Sequence, residues 1–359
     1  EHPEKSFLWA DRGGQVMKDH VIPFLAQQGM RWFLTIVDQK TTRLSPAVAT
    51  DREAEVFAEY IRRLLAPMGP TMEFVLYGNE GVTRDFPDRF HRYEGTPESW
   101  IREYSLVRKT VKELFPKMPV GPAQAGDVEG TAAQRILARA PGLDFECWGV
   151  NCYHHEYEMG KNIADAVRAR APDEFFIVYP EISARLDTDL LTDDPLRALL
   201  DQAVCFQYRW SNIFFTEPRV NVLSYFAFGH FKPKFPLFEP DYTPRPVVAA
   251  YAAFASVLGA GEITHTEGSL GGPFLLHTFT KSSGEIVGLA FVPPEQPDRW
   301  KDFSGTPTEV AIDTGTPVVR IADMFGNAVA RHTENGILKL TVTPRIQFIL
   351  GAARISVTQ

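Results

Sequence analysis

Cysteine is scarce: the 359-residue chain contains three, Cys147, Cys152 and Cys205. Their number and spacing fit neither a disulfide framework nor the paired ligands of a structural zinc site, so they read as small buried hydrophobes. Nowhere do about eighteen apolar residues follow one another, which argues against a helix that spans a bilayer. Positive charge is also in deficit. Against 45 Asp and Glu stand 37 Lys and Arg, a formal net charge of -8. With no long basic run, the chain lacks the clustered cations that displace phosphate counterions from nucleic acid. Internal repeats, low-complexity tracts and long linkers are missing as well. The opening Glu1-His2-Pro3-Glu4-Lys5 has no charged-then-apolar leader; either there is no signal peptide or it has been removed, and the compartment is unknown.

What is present is a 44% hydrophobic chain able to bury a substantial core. From Gln15 to about Phe228, short apolar, β-branched or aromatic runs alternate with amphipathic stretches, the pattern of βα units around a parallel sheet. The runs Met30 to Val37, Phe74 to Tyr77, Met118 to Gln124, Phe145 to Tyr153, Phe175 to Tyr179 and Val222 to Phe228 predict six strands. Between and around them, helices are expected over Val16 to Gln28, Asp51 to Leu65, Pro97 to Leu114, Thr131 to Ala140, Met159 to Ala171 and Pro195 to Phe215. A closed barrel of this kind has eight strands. Phe7-Leu8-Trp9-Ala10 offers one more short candidate, so the expectation is a (β/α)8 barrel lacking its first one or two strands. Either a segment has been removed or the native barrel is incomplete; in the second case its open side would need a cover, and a partner subunit, a second copy of the chain, is the expected one.

After the helix Val247 to Leu258 the texture changes to alternating runs split by Gly, Pro and Asn-Gly turns. Phe274 to Thr280, Ile286 to Val292, Thr308 to Ile312, Val318 to Asp323 and Ile337 to Val342 read as strands of an antiparallel sandwich, with Asn335-Gly336 and Gly326-Asn327 as turns. The expected division is therefore a barrel over residues 1–258 and a β-sandwich over 259–359.

Chemistry concentrates at two strand ends. Tyr77-Gly78-Asn79-Glu80-Gly81 places an Asn-Glu pair directly after an apolar run, and Phe175 to Tyr179 leads through Pro180 to Glu181. Barrel enzymes carry their reacting groups at the carboxyl ends of strands. Two carboxylates placed there suit cleavage of a glycosidic bond, where one protonates the departing oxygen and the other attacks the anomeric carbon or activates water. Local burial and charge then hold one carboxyl protonated and leave the other ionised. A separation of about 5 to 5.5 Å goes with retention of configuration and about 6.5 to 9.5 Å with inversion.

With these motifs the sequence resembles the clan of retaining glycoside hydrolases built on (β/α)8 barrels, in which Asn-Glu closes strand four and Glu closes strand seven. The resemblance covers roughly residues 16 to 230. It implies that Glu80 is the acid/base, that Asn79 holds the sugar 2-hydroxyl, and that Glu181 is the nucleophile, with no cofactor or metal. Asn151-Cys152-Tyr153-His154-His155 closes strand six, and alternation puts Asn151 and Tyr153 on one face. This Asn-x-Tyr resembles the β-galactosidase and β-glucuronidase branch, implying that the Tyr153 hydroxyl supports the nucleophile while Asn151, His154 or His155 meets the sugar. Each histidine serves equally well as a satisfied loop residue. Strand eight departs from the clan, which commonly has a tryptophan there; Tyr225, Phe226 or a tryptophan from elsewhere would then stack on the substrate, Phe228 being a core aromatic. The clan's strand-two arginine finds only Arg12 as a counterpart.

The expected substrate is thus an oligosaccharide or glycoside with a β-linkage. An inactive carbohydrate-binding barrel is the alternative. A metal-dependent barrel hydrolase is a weaker one, because His154 and His155 are adjacent and point to opposite faces instead of converging as His-x-His.

Overall fold

The computed structural model describes residues 3–36, 50–79, 95–124, 130–152, 159–182, 184, 193–225, 236–259, 263–269, 273–293 and 305–358. Six strands form one sheet in chain order: β1 (Leu34–Ile36), β2 (Val75–Tyr77), β3 (Val120–Gln124), β4 (Cys147–Val150), β5 (Phe176–Ile182) and β6 (Val220–Tyr225). Pairing is parallel from β1 through β5, with Thr35 opposite Leu76, Leu76 opposite Gly121, Ala123 opposite Gly149 and Trp148 opposite Ile177. Parallel neighbours need a crossover, and helices supply it: α3 (Asp51–Leu65), α4 (Pro97–Leu114), α5 (Thr131–Arg139), α6 (Met159–Val167) and α7 (Pro195–Thr216). This is an incomplete (β/α) barrel followed by antiparallel sheets, as expected.

By compactness the chain divides into two units. The first comprises Glu1–Cys152, Glu158–Pro180 and Arg219–Leu223, and the second Tyr153–Tyr157, Glu181–Pro218 and Ser224–Gln359. In the first unit, Phe74, Leu76, Ala123, Cys147 and Val178 bury their side chains on one face of the sheet, where Phe33, Phe176 and Val222 pack against them. Phe33 stacks on Phe74 with centroids 4.7 Å apart. On the opposite face, alternation sends Tyr77 toward Trp100 and Tyr104 of α4. All three cysteines are buried and unbridged.

The N-terminal segment corrects the sequence reading. Phe7-Leu8-Trp9-Ala10, offered as a further strand, lies inside α1 (Pro3–Val16), and so does Arg12, which is exposed. A four-residue apolar run carries no period that separates strand from helix. A Cβ on Gly14 would sit 2.7 Å from the Leu64 carbonyl oxygen, so only glycine lets α1 lie this close to α3, and that packing offsets glycine's poor helix propensity. The Arg63 guanidinium covers the Phe7 ring at 4.5 Å. The helix expected from Val16 onward runs instead through a π-helical turn, Met17–Val21, into α2 (Ile22–Gln27). Pro23 has no N–H to continue the ladder there, and the turn widens.

Glu146, just before β4, ties this unit together. Its carboxylate accepts from Arg108 Nη2 at 2.7 Å, from Lys112 Nζ at 3.0 Å and from the Val120 backbone N–H at 3.0 Å. Burial opposes the charge, but the Val120 N–H and the two cations outweigh it and hold the carboxyl below its ordinary range. A depressed folded-state pKa contributes stability that is present above the unfolded value of 4.5 and is lost as pH falls through the folded value. Glu146→Gln should therefore lower stability by about 1–2 kcal/mol near neutrality, with the difference from wild type vanishing in acid. Urea unfolding at several pH values checks this, and a deficit that persists unchanged in acid would refute it. An open groove of about 490 Å³ lined by Tyr104, Arg108, Lys109, Lys112, Glu113 and Asp144 lies beside it, where the strands begin.

In the second unit, β7 (Ile263–Ser269), β8 (Leu275–Lys281), β9 (Ile286–Phe291), β11 (Val318–Ala322), β12 (Ala328–His332) and β14 (Gln347–Ala352) form a sheet ordered β12-β11-β14-β9-β8-β7. Beside it, β10 (Thr308–Asp313), β13 (Ile337–Val342) and β15 (Ser356–Val357) pair as β13-β10-β15. Leu276, Ala290, Ile321 and Ile349 from the first sheet meet Ile312, Leu338, Leu340 and Val342 from the second in one core. Asn335 and Gly336 take positive φ values of 55° and 82°, the hairpin turn expected of Asn-Gly. Helices α7 and α8 (Pro246–Leu258) carry the sheets. Gln207 Nε2 donates to the carbonyls of Ala250 at 3.2 Å and Met324 at 2.7 Å, and Phe254 meets Phe348 edge-on. No helix among the described residues is long and apolar enough to cross a membrane.

Candidate functional site

The residues singled out from the sequence close parallel strands, Asn79 and Asn151 in the first unit and Glu181 and Tyr225 in the second. β2 ends at Tyr77, whose hydroxyl donates to the carboxylate of Glu103, a residue with no exposed surface on α4. Gly78 follows in a left-handed conformation, φ 91°, and its N–H donates to the Ile36 carbonyl at 2.8 Å. A Cβ there would lie 3.1 Å from the Ala123 carbonyl oxygen, so glycine meets two demands at once: the positive φ and the close approach to β3. The next residue, Asn79, is half-buried.

Two strands away, β4 ends at Val150 and Asn151 follows with 1% exposure. Its backbone N–H continues the ladder to the Gln124 carbonyl at 3.0 Å, which fixes its height against β3. Its side-chain Nδ2 then reaches across and donates to Asn79 Oδ1 at 2.7 Å. Gln124 is steadied in turn, its Oε1 accepting from the indole N–H of Trp148 at 2.8 Å. Two of the residues singled out from the sequence, Asn79 and Asn151, are thus bonded to each other at the strand ends.

Glu181 is the penultimate residue of β5 and is half-buried, between the half-buried Pro180 and the buried Ile182. Tyr225 is the last residue of β6. Its hydroxyl donates to the Ala184 carbonyl at 3.2 Å and accepts from Gln202 Nε2 at 3.5 Å. Its ring stacks on Trp210 with centroids 5.7 Å apart and meets Phe206 at 6.1 Å. Burial, with lesser help from the Cys205 thiol, pushes the Tyr225 phenol well above its usual range. The hydroxyl therefore stays a neutral hydrogen-bonding group at any working pH. Glu80, Tyr153, His154, His155 and Phe226 lie outside the described residues.

Sequence reading passed over Glu103 and Gln202. A signal for Glu103 was there: Trp100, Glu103, Tyr104, Val107 and Val111 all lie on one buried helical stripe, and a carboxyl on that stripe needs a partner such as the Tyr77 phenol. Gln202 on α7 is 1% exposed and joins Ala184 to Tyr225, a link that becomes visible only once β6 and α7 are docked.

No protein-family model and no curated protein sequence matches this chain. Solved structures do match it. A family 39 glycoside hydrolase from the gut symbiont Bacteroides cellulosilyticus WH2 superposes with a TM-score of 0.69 at 15% identity, covering 92% of this chain and 70% of the other. The GH51 arabinofuranosidase from Xanthomonas axonopodis pv. citri gives 0.58 at 11% identity, covering 92% and 78%. A monomeric β-xylosidase from Caulobacter crescentus CB15 gives 0.55 at 13% identity, covering 92% and 83%. At such identities the likeness is one of architecture: a βα-barrel sheet followed by antiparallel β-sheets is the fold this chain shares with them.

Proposed function

We propose that this protein is a retaining glycoside hydrolase acting on β-glycosides, with Glu181 as nucleophile and Glu80 as acid/base. The observation that carries the reading is the bonded pair Asn79 and Asn151 at the carboxyl ends of β2 and β4, with Glu80 next in sequence to one of them and Glu181 at the carboxyl end of β5. The shared fold of proteins named as glycoside hydrolase, arabinofuranosidase and β-xylosidase supports it.

In the first step the Glu181 carboxylate attacks the anomeric carbon. The bond to the leaving oxygen breaks as Glu80 gives that oxygen its proton, and a covalent glycosyl ester forms on Glu181. In the second step Glu80, now ionised, takes a proton from water, whose oxygen attacks the anomeric carbon and releases Glu181. Two inversions leave the configuration unchanged. Asn79 holds a ring hydroxyl of the sugar, and Tyr153 and one of the adjacent histidines serve nucleophile and substrate.

The test is a panel of aryl β-glycosides that includes galactosides, glucuronides, xylosides and arabinofuranosides, with the first-formed anomer followed by NMR. Hydrolysis with the β-anomer released first is the expected result. An α-anomer would replace double displacement by inversion. Inactivity of well-folded protein across aryl and natural oligosaccharide substrates would refute the enzymatic reading.

A further inference from the structure

Resting on the glycosidase reading, we infer that Asn151 is a positioning residue: it fixes which way the Asn79 amide faces and thereby makes this corner of the site a hydrogen-bond donor toward the sugar. A side-chain amide offers an acceptor on one branch and two donors on the other, and rotation by half a turn exchanges them. Asn79 Oδ1 is occupied by Asn151 Nδ2 at 2.7 Å, and among the described residues Asn79 Nδ2 has no partner. The carbonyl branch is thus committed to the protein, and the amino branch is left for the ligand.

The parts that hold the two amides within reach of each other belong to the backbone. Asn151 cannot slide, because its N–H is bonded to the Gln124 carbonyl at 3.0 Å and its side chain is sealed from solvent, with 1% exposure. Asn79 cannot swing away, because Gly78 before it is bonded to Ile36 and rests over the Ala123 carbonyl. The anchors lie on β1 and β3, the neighbours of β2 and β4, so the amide is held by the spacing of the sheet and needs no reorganisation when substrate arrives. A donor held in this way favours a sugar position bearing an oxygen that can accept, and it disfavours an analogue from which that oxygen has been deleted.

The role is distinct from direct sugar binding by Asn151, and a double-mutant cycle separates the two. kcat and KM are measured for wild type, Asn79→Ala, Asn151→Ala and the double variant, on the best aryl glycoside of the panel and on its monodeoxy analogues. Positioning predicts that Asn151→Ala lowers kcat/KM about tenfold on the parent glycoside. It further predicts that this loss disappears both in the Asn79→Ala background and on the one deoxy analogue lacking the hydroxyl that Asn79 reads. Losses that multiply in the double variant, or that are equal for every deoxy analogue, would overturn it.

A readout without turnover accompanies the cycle. In protein labelled with 15N at asparagine, the Asn79 side-chain amide should have a high order parameter that drops in Asn151→Ala while the melting temperature holds. An Asn79 amide equally ordered in both proteins overturns the pinning. An ordered amide that loosens in Asn151→Ala, in a wild-type protein that hydrolyses nothing, supports the pinning and counts against the glycosidase reading alone.

Discussion

Glu181→Gln is expected to lower kcat by about four orders of magnitude or more, while the protein folds and melts like wild type. The size follows from the assigned role: without the attacking carboxylate the covalent step is lost, and groups acting as one unit lose nearly everything when one is removed. The fold should survive because the side chain is half-buried and Gln has nearly its shape, while the packing of β5 comes from the buried Ile177, Val178, Tyr179 and Ile182. Glu181→Ala in azide gives a sharper outcome. Azide can enter from the vacated face and attack the anomeric carbon, so the product should be a glycosyl azide of inverted configuration. The same addition to Glu80→Ala should give an azide of retained configuration, formed from the glycosyl-enzyme. If the two variants gave azides of the same configuration, or if Glu181→Gln kept more than a hundredth of wild-type activity, the assignment of roles would fail.

Gly121→Ala is expected to be the most damaging single methyl in the described parallel sheet, destabilising by more than about 4 kcal/mol. A Cβ at Gly121 would lie 1.9 Å from the carbonyl oxygen of Cys147 and 2.5 Å from its carbonyl carbon. Those are backbone atoms of the neighbouring strand, which no rotamer change can move aside. Relief requires β3 and β4 to part, and these are the strands whose spacing sets the Asn151–Gln124 bond and, through it, the Asn151–Asn79 bond. Urea unfolding and soluble yield report the effect; an alanine variant within about 1 kcal/mol of wild type would show that the sheet yields where its geometry says it cannot. Gly149 makes a useful comparison. Its added Cβ would meet the end of the Leu76 side chain at 2.8 Å, a contact that a flexible group can partly relieve, so Gly149→Ala should be the milder of the two.

Much of the fold was legible because a buried parallel strand leaves a compact mark. Val75-Leu76-Tyr77 and Phe176-Ile177-Val178-Tyr179 are apolar runs too short for a helix and bounded by turn residues. The polar edges left no such mark. β12, Ala328 to His332, is exposed at every residue, and β7, Ile263 to Ser269, has a register shift between His265 and Glu267. Both pair through backbone groups that any sequence supplies, so the side-chain pattern was silent. Phe7 to Ala10 misled for the opposite reason: its apolar content was clear, but so short a run serves a helix packed on α3 as well as a strand.

The proximity of Asn79 and Asn151 follows from strand order, since residues closing β2 and β4 flank β3 at one end of the sheet. Their hydrogen bond does not follow, because it depends on the exact height at which Asn151 meets Gln124. Glu103 was hidden by an ordinary expectation, that a glutamate on a helix faces water.

The order β12-β11-β14-β9-β8-β7 bears on how the chain is made. In the parallel sheet each strand pairs with its predecessor, so that layer can grow as residues leave the ribosome. In the antiparallel sheet the two strands that flank β14, namely β9 and β11, have no bond to each other and wait for Gln347 to Ala352 to be synthesised. Until that keystone arrives, the hairpin ending in β9 and the hairpin opened by β11 are separate halves with unpaired edges. Nascent chains stalled before about residue 347 would thus be sticky intermediates, and β14 is the strand whose arrival joins the two halves of this sheet.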